Sequence, residues 1–156
     1  MDIKKLMEEF LELVEWDEEV EYDSEYGQYL YTTRYNIDGQ TCDLVIKGQP
    51  DEQYLALYLT APIKVREGKL KDACLLFNYI NANFRHSGCL TVDEDYEITF
   101  KNILDLEDAR VDAPYIVNML ASAGGCLKFH GERIAAVALT PTTFEELRKE
   151  YDKDDG

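Results

Sequence analysis

The chain has 156 residues, 46% hydrophobic and 12% aromatic, enough to build one core at the usual domain size of roughly 100 to 200 residues without disulfides or metal. Its 32 acidic residues against 16 basic leave a formal charge of −16, a field that repels phosphate backbones and anionic headgroups and attracts basic segments of other proteins. Nucleic acid and membrane are therefore not expected as partners, and no run approaches the roughly 20 apolar residues that span a bilayer. The opening MDIKKLMEEF carries no long apolar region, so the expectation is a soluble cytoplasmic protein of bacterial type.

Asp2 is placed to cap a first helix in which Ile3, Leu6, Met7, Phe10, Leu13 and Val14 recur at helical spacing, ending near Glu15 or Trp16. The polar segment 18–23 is at best an edge strand, its charges discouraging further pairing. After Gly27 the alternation is strong, with Tyr29, Tyr31, Thr33, Tyr35 and Ile37 on one side and Leu30, Thr32, Arg34 and Asn36 on the other. Asp38-Gly39 suits a two-residue type I′ turn, from which 41–47 returns. Gly48-Gln49-Pro50-Asp51 reads as the next turn and 53–61 as the third strand of an antiparallel meander.

Pro62 and the basic stretch 64–66 lead to a second helix lined by Leu70, Ala73, Cys74, Phe77, Ile80, Asn81 and Phe84, stopping before Gly88. A tight hairpin follows, 88–93 and 96–103, turning at Asp93-Glu94-Asp95 with Leu90 and Val92 across from Ile98 and Phe100 or their neighbours. Asp112 and Pro114 open the last main helix, whose pattern continues through Ile116, Met119, Leu120, Ala123, Leu127, Ile134 and Val137. Gly124-Gly125 costs that helix roughly 1 kcal/mol per glycine relative to alanine, so it marks either a close packing point or a break. The expected fold class is α+β: an antiparallel sheet of five or six strands, order α-β-β-β(β)-α-β-β-α, with the first, second and last helices on one face. The domain is expected to span 1–139, and a short acidic helix with the tail DKDDG, 140–156, to be peripheral.

Residues able to carry chemistry are sparse. His86 stands three residues from Cys89, and a base beside a thiol activates it; Cys89 opens a strand whose alternate residues face the core, however, which favours a structural thiol. Cys42, Cys74, Cys89 and Cys126 form no CxxC pair and read as buried free thiols. A zinc site from His86, Cys89, Cys126 and His130 would need convergence from distant segments, whereas structural zinc favours close ligand pairs. The acid runs Asp93-Glu94-Asp95, Glu18-Glu19 and 152–155 lack the spacing of a calcium loop, and Gly124-Gly125 lacks the lysine of a phosphate loop. No catalytic residue, cofactor or metal is expected.

Tyr29, Tyr31, Tyr35, Tyr54 and Tyr58 are the candidate protein-binding residues, since tyrosine offers large contact area, a polar handle and few rotamers to freeze. Plain β-propensity on a solvated face accounts for them equally well.

The helix ending YINANFRHSGCLTVDED, the return strand YEITFKN and the small-residue helix PYIVNMLASAGGCLKF, taken with the element order, resemble the YbjN-like family, described as bacterial sensory-transduction regulators, and the related type III secretion chaperone fold. The likeness covers most of 1–139, although the double glycine and the segment after Pro141 depart from it. It implies an α+β fold, a homodimer and a protein-binding role with no established chemistry, and the acidic field of the chain adds the expectation that the polypeptide partner carries a basic segment. The alternative is an enzyme or small-ligand domain with its pocket between sheet and helices.

Overall fold

In the computed structural model, which describes residues 1–154, helix α1 (Ile3–Leu13) starts where the Asp2 carboxylate accepts the Lys5 N–H at 3.1 Å. Its buried stripe, Ile3, Leu6, Met7, Phe10 and Leu11, lies against the sheet. Four strands then pair in order as an antiparallel meander: β1 (Glu21–Asp23), β2 (Gln28–Ile37), β3 (Gln40–Gln49) and β4 (Tyr54–Lys64). Asp38 and Gly39 have φ of +49° and +82°, as a type I′ turn requires, and Ile37 pairs directly with Gln40.

Gly48 is not a turn residue. It sits inside β3 beneath α1, where a Cβ would collide with Ile3 and Met7, and the turn falls instead to residues 50–53. The glycine serves close approach of helix and strand. β4 in turn outlasts Pro62, because its register with the strand beyond shifts between Thr60 and Lys64, the irregular kind of place where a strand tolerates proline.

Helix α2 (Leu70–Asn83) leads to the hairpin β5 (Cys89–Val92) and β6 (Glu97–Asp105), with Leu90 opposite Phe100 and Val92 opposite Ile98. β6 pairs with β4, giving the sheet order β1-β2-β3-β4-β6-β5. The register sorts the side chains: Tyr31, Ile46, Leu57 and Asn102 align across one face, and Thr32, Val45, Tyr58 and Lys101 across the other. The first face carries the core of Leu44, Leu55, Leu57, Leu59, Ile98 and Phe100, all buried under the helices. Each such side chain contributes roughly 1.5–3 kcal/mol of transfer free energy.

Three helices close the fold: α3 (Ala113–Phe129), α4 (Gly131–Leu139) and α5 (Phe144–Asp154). α3 runs unbroken through Gly124-Gly125: a Cβ on Gly124 would make ordinary contact at 3.5 Å with the Tyr35 ring and one on Gly125 would meet nothing within 4 Å, so the pair marks neither a break nor a forced close approach. The break comes at His130, which ends α3 and starts α4.

The segment 140–156, expected to be peripheral, sends Leu147 and Tyr151 from α5 into the core. An apolar pair four residues apart in an otherwise acidic helix is a narrow stripe that composition hides. Asp72 of α2 caps this helix, its Oδ1 accepting the Phe144 N–H at 2.9 Å, while Lys69 Nζ donates to the Thr142 carbonyl at 2.6 Å. Asp155 and Gly156 of the acidic tail lie outside the described residues.

Candidate functional site

The sheet divides the five tyrosines. Tyr29, Tyr31 and Tyr35 alternate onto the helix-covered face of β2, whereas Tyr54 and Tyr58 point from β4 to the open face. Tyr31 is a core residue and offers no contact surface: it is 1% exposed, stacks on Trp16 at 5.9 Å and donates its hydroxyl to the Glu18 carboxylate. Burial, reinforced by Glu18, pushes its pKa up to about 12. The cross-strand register that separates these residues is a long-range property.

The open face is half apolar. Leu30, Val45, Tyr58 and Ile103 lie on it outside the core, and Ile103 is 63% exposed. Lys47 sits 5.4 Å from the Tyr58 ring, and Asp43, Lys101 and Asp105 complete a mixed-sign pattern on the same side.

The sheet edges differ. β5 is covered by α2, whose Asn81 side chain takes both the N–H and the carbonyl of Leu90. β1 pairs only residues 28–30 of β2, so beyond Leu30 the outer edge of β2 has no strand beside it among the described residues. Because Ile37 and Gln40 close a two-residue hairpin, the ladder alternation turns the backbone groups of Thr32, Arg34 and Asn36 away from β3 and outward. Glu21, opposite Leu30, and Glu18, which accepts from Tyr31 and Thr33, lie toward one end of this open edge, and Asp38, 3.8 Å from Lys128 Nζ, lies at the other. Past Ile37 the edge meets a cleft of about 740 Å³ between the β2–β3 hairpin and α4, lined by Ile37, Cys42, Ala61, Ile63, Ile134 and Leu147 among others.

The suggested His86–Cys89 pair does not meet. Leu90 faces the core, so Cys89 faces the open side and is exposed, while His86 turns inward to within 5.7 Å of the His130 ring. Cys42 and Cys126 are buried, but Cys74 and Cys89 are exposed, contrary to the expectation of four buried thiols. Convergence that the spacing did not reveal brings His86, Cys126 and His130 together, with donor atoms within 4.8 Å of one another. The available clue was the pair Cys126 and His130, four apart on a helix and hence on one face; the nearer-looking His86-x-x-Cys89 spacing obscured it. Burial holds the Cys126 thiol up at about 12, and burial, with the charges of His86 and Arg133, holds His130 down at about 4. No helix among the described residues is long and apolar enough to cross a membrane.

No family model matches the chain, and no curated protein matches it significantly, so the YbjN-like resemblance gains no support from that side. Solved structures do match. A chain of the ExsC–ExsE complex superposes with a TM-score of 0.59 at 12% identity, covering 85% of this chain and 92% of that one. A chain of the HopA1–SchA chaperone–effector complex gives 0.55 at 18% identity, covering 85% and 93%. The Yersinia pestis type III secretion chaperone SycH in complex with a stable fragment of YscM2 gives 0.47 at 17%, covering 86% and 98%. The first two likenesses establish the architecture: this chain shares the α+β fold of those chains.

Proposed function

We propose that the chain is a non-enzymatic, chaperone-like module that holds an extended basic segment of another polypeptide along the outer edge of β2. The observation that carries this reading is the row of outward backbone groups at Thr32, Arg34 and Asn36 with no strand beside them. An added strand gains main-chain hydrogen bonds there, and its alternate side chains reach the Thr32 row on one face and Trp16, Tyr35 and Ile37 on the other. The acidic side chains at both ends and the net charge of −16 raise the on-rate for a basic segment. Support also comes from the structural likeness to a chain of the HopA1–SchA chaperone–effector complex, and the YbjN-like patterns suit a regulator that acts by holding a client.

The open face fits a second copy. Val45, Tyr58 and Ile103 lie there outside the core among Lys47, Lys101, Asp43 and Asp105, an apolar strip with charges of both signs that a second copy would cover. On this reading Tyr54 and Tyr58 serve dimerisation, and the client uses the β2 edge.

Arg34→Pro tests the client edge, because proline on an edge removes an outward donor and blocks an added strand without breaking the sheet. Capture from a native lysate, quantified by mass spectrometry, is expected to fall at least about tenfold in a variant with a wild-type circular dichroism spectrum, and wild-type capture is expected to weaken at raised salt. Undiminished capture sinks the edge. Tyr58→Ser with Ile103→Lys is expected to give a monomer by light scattering that still captures client; a dimer persisting in that variant, or a monomeric wild type, overturns the pairing.

A further inference from the structure

We propose that Cys126, His130 and His86 form a buried binding site for a soft monovalent metal ion, copper(I). Cys126 and His130 stand one helical turn apart at the end of α3, so both side chains leave the same face. His86 arrives on the connection between α2 and β5, and that connection is pinned at the next residue. The Ser87 N–H donates to Ser122 Oγ at 3.1 Å, and Asn102 Nδ2 donates to Ser87 Oγ at 2.7 Å. One donor atom from each of the three side chains lies within 4.8 Å of the others. Metal–donor lengths of about 2.0–2.3 Å place the donors of a trigonal three-coordinate site roughly 3.5–4.0 Å apart, a contraction that small side-chain rotations supply.

Two nitrogen atoms call for such a ligand. Nε2 of His86 and Nε2 of His130 are buried with no hydrogen-bond partner among the described residues, and His130 is 0% exposed. Buried polar atoms are nearly always paired, so two orphans in one cluster point to something between them. The other nitrogen of His130 is engaged: Nδ1 lies 2.6 Å from Tyr151 Oη. With Nδ1–H donating to that oxygen, the Nε2 lone pair is free for the cluster, which is how proteins fix the tautomer of a ligating imidazole.

Charge selects the metal. A thiolate, two neutral imidazoles and copper(I) sum to zero, which suits a site packed against the rings of Phe84, Phe100 and Phe129. Zinc(II) would leave a net positive charge there, near the Arg133 guanidinium that lies 4.0 Å over the Tyr151 ring and whose charge Glu150 offsets in part. Thiolate is a soft ligand that selects copper(I), and imidazole accepts it. On binding, the Cys126 S–H bond gives way to an S–Cu bond and the proton leaves to solvent; no electron is transferred. Cys89, on the opposite side of the sheet, takes no part.

The test uses the full chain, chelator-treated and reduced, titrated anaerobically with copper(I) against a chromogenic copper(I) chelator. The exposed thiols are first removed by Cys74→Ala and Cys89→Ala. That background protein is expected to take up a single copper(I) per chain with a near-ultraviolet thiolate-to-copper band, and zinc(II) is expected to bind more weakly. Adding Cys126→Ser should abolish uptake, and Tyr151→Phe should weaken it by about tenfold or more. His86→Gln, at a half-buried connection, should abolish the band in a chain that keeps its circular dichroism spectrum, which separates ligand loss from unfolding. Absence of uptake in the background protein, or uptake that survives both Cys126→Ser and His86→Gln, overturns the site; zinc(II) binding as tightly as copper(I) overturns the choice of metal.

Discussion

Asn81 holds Leu90 by both of its main-chain groups, accepting the Leu90 N–H at Oδ1 over 2.8 Å and donating from Nδ2 to the Leu90 carbonyl over 2.9 Å. One carboxamide thus does for the centre of β5 what another strand would do. Asn81→Leu is expected to lower stability by about 1–3 kcal/mol, since it strands a donor and an acceptor. The urea midpoint should fall with an unchanged slope, and the bared edge should promote self-association. A midpoint equal to wild type contradicts this role.

Two glycine-to-alanine substitutions should move stability in opposite directions. At Gly125, within α3, a Cβ meets nothing within 4 Å, so alanine is expected to stabilise by roughly 0.5–1 kcal/mol through helix propensity and the unfolded chain. At Gly48 the Cβ enters the space of Ile3 and Met7, and alanine is expected to destabilise by about 1–3 kcal/mol as α1 is pushed off the sheet. Thermal melts of the pair decide it, and shifts of the same sign count against the close approach of α1.

Thiol labelling separates the four cysteines by exposure. Cys74 and Cys89 are expected to react with iodoacetamide in the native protein, and Cys42 and Cys126 only after unfolding. Burial raises the pKa of both protected thiols, with Asp43 adding to the effect at Cys42. Peptide mapping of a timed reaction checks the order, and early modification of Cys126 would exclude its burial.

His130 sets an acid limb. Its pKa is held at about 4 against 6.5 in the unfolded chain, and that of His86 is lowered in the same direction. The unfolded chain takes a proton that the folded one refuses, so this stability is present above pH 6.5 and is lost as pH falls toward 4. For His130 the loss is on the order of 3 kcal/mol. Urea midpoints of chelator-treated protein should trace the fall, and His130→Gln should flatten it; a flat wild-type profile through this window contradicts the buried neutral imidazole. At the alkaline end Cys126, Tyr31 and Tyr151, each raised to about 12, favour the folded state until pH climbs past their unfolded values of 9 or 10.

Local chemistry was legible in the sequence and long-range pairing was not. Asp38-Gly39 declares its turn because both positions need positive φ, and Leu90 faces Phe100 because a short hairpin leaves little choice of register. Nothing local indicates that β6 inserts beside β4, and it is the register across these strands that sends Tyr31 inward and Tyr58 outward. Gly48 misleads for a related reason: a glycine needed for close packing has the same sequence appearance as one needed for a turn. In the His86–Cys126–His130 cluster, Cys126 and His130 are four residues apart, while His86 is 40 residues before Cys126 and reaches it only through the packing of α2, β5 and α3.

The cap that Asp72 places on α5, 72 residues later in the chain, has a consequence for biosynthesis. Tyr79, Phe84 and His130 all leave the ribosome before Tyr151, whose ring covers them. Until that tyrosine emerges, the nascent domain has a sheet and a meander already paired and an aromatic seam still wet, the kind of surface that recruits folding helpers or aggregates. Closure of this domain therefore waits on α5, and nascent chains arrested ahead of residue 151 should remain protease-sensitive between α2 and α4 when the meander is already protected.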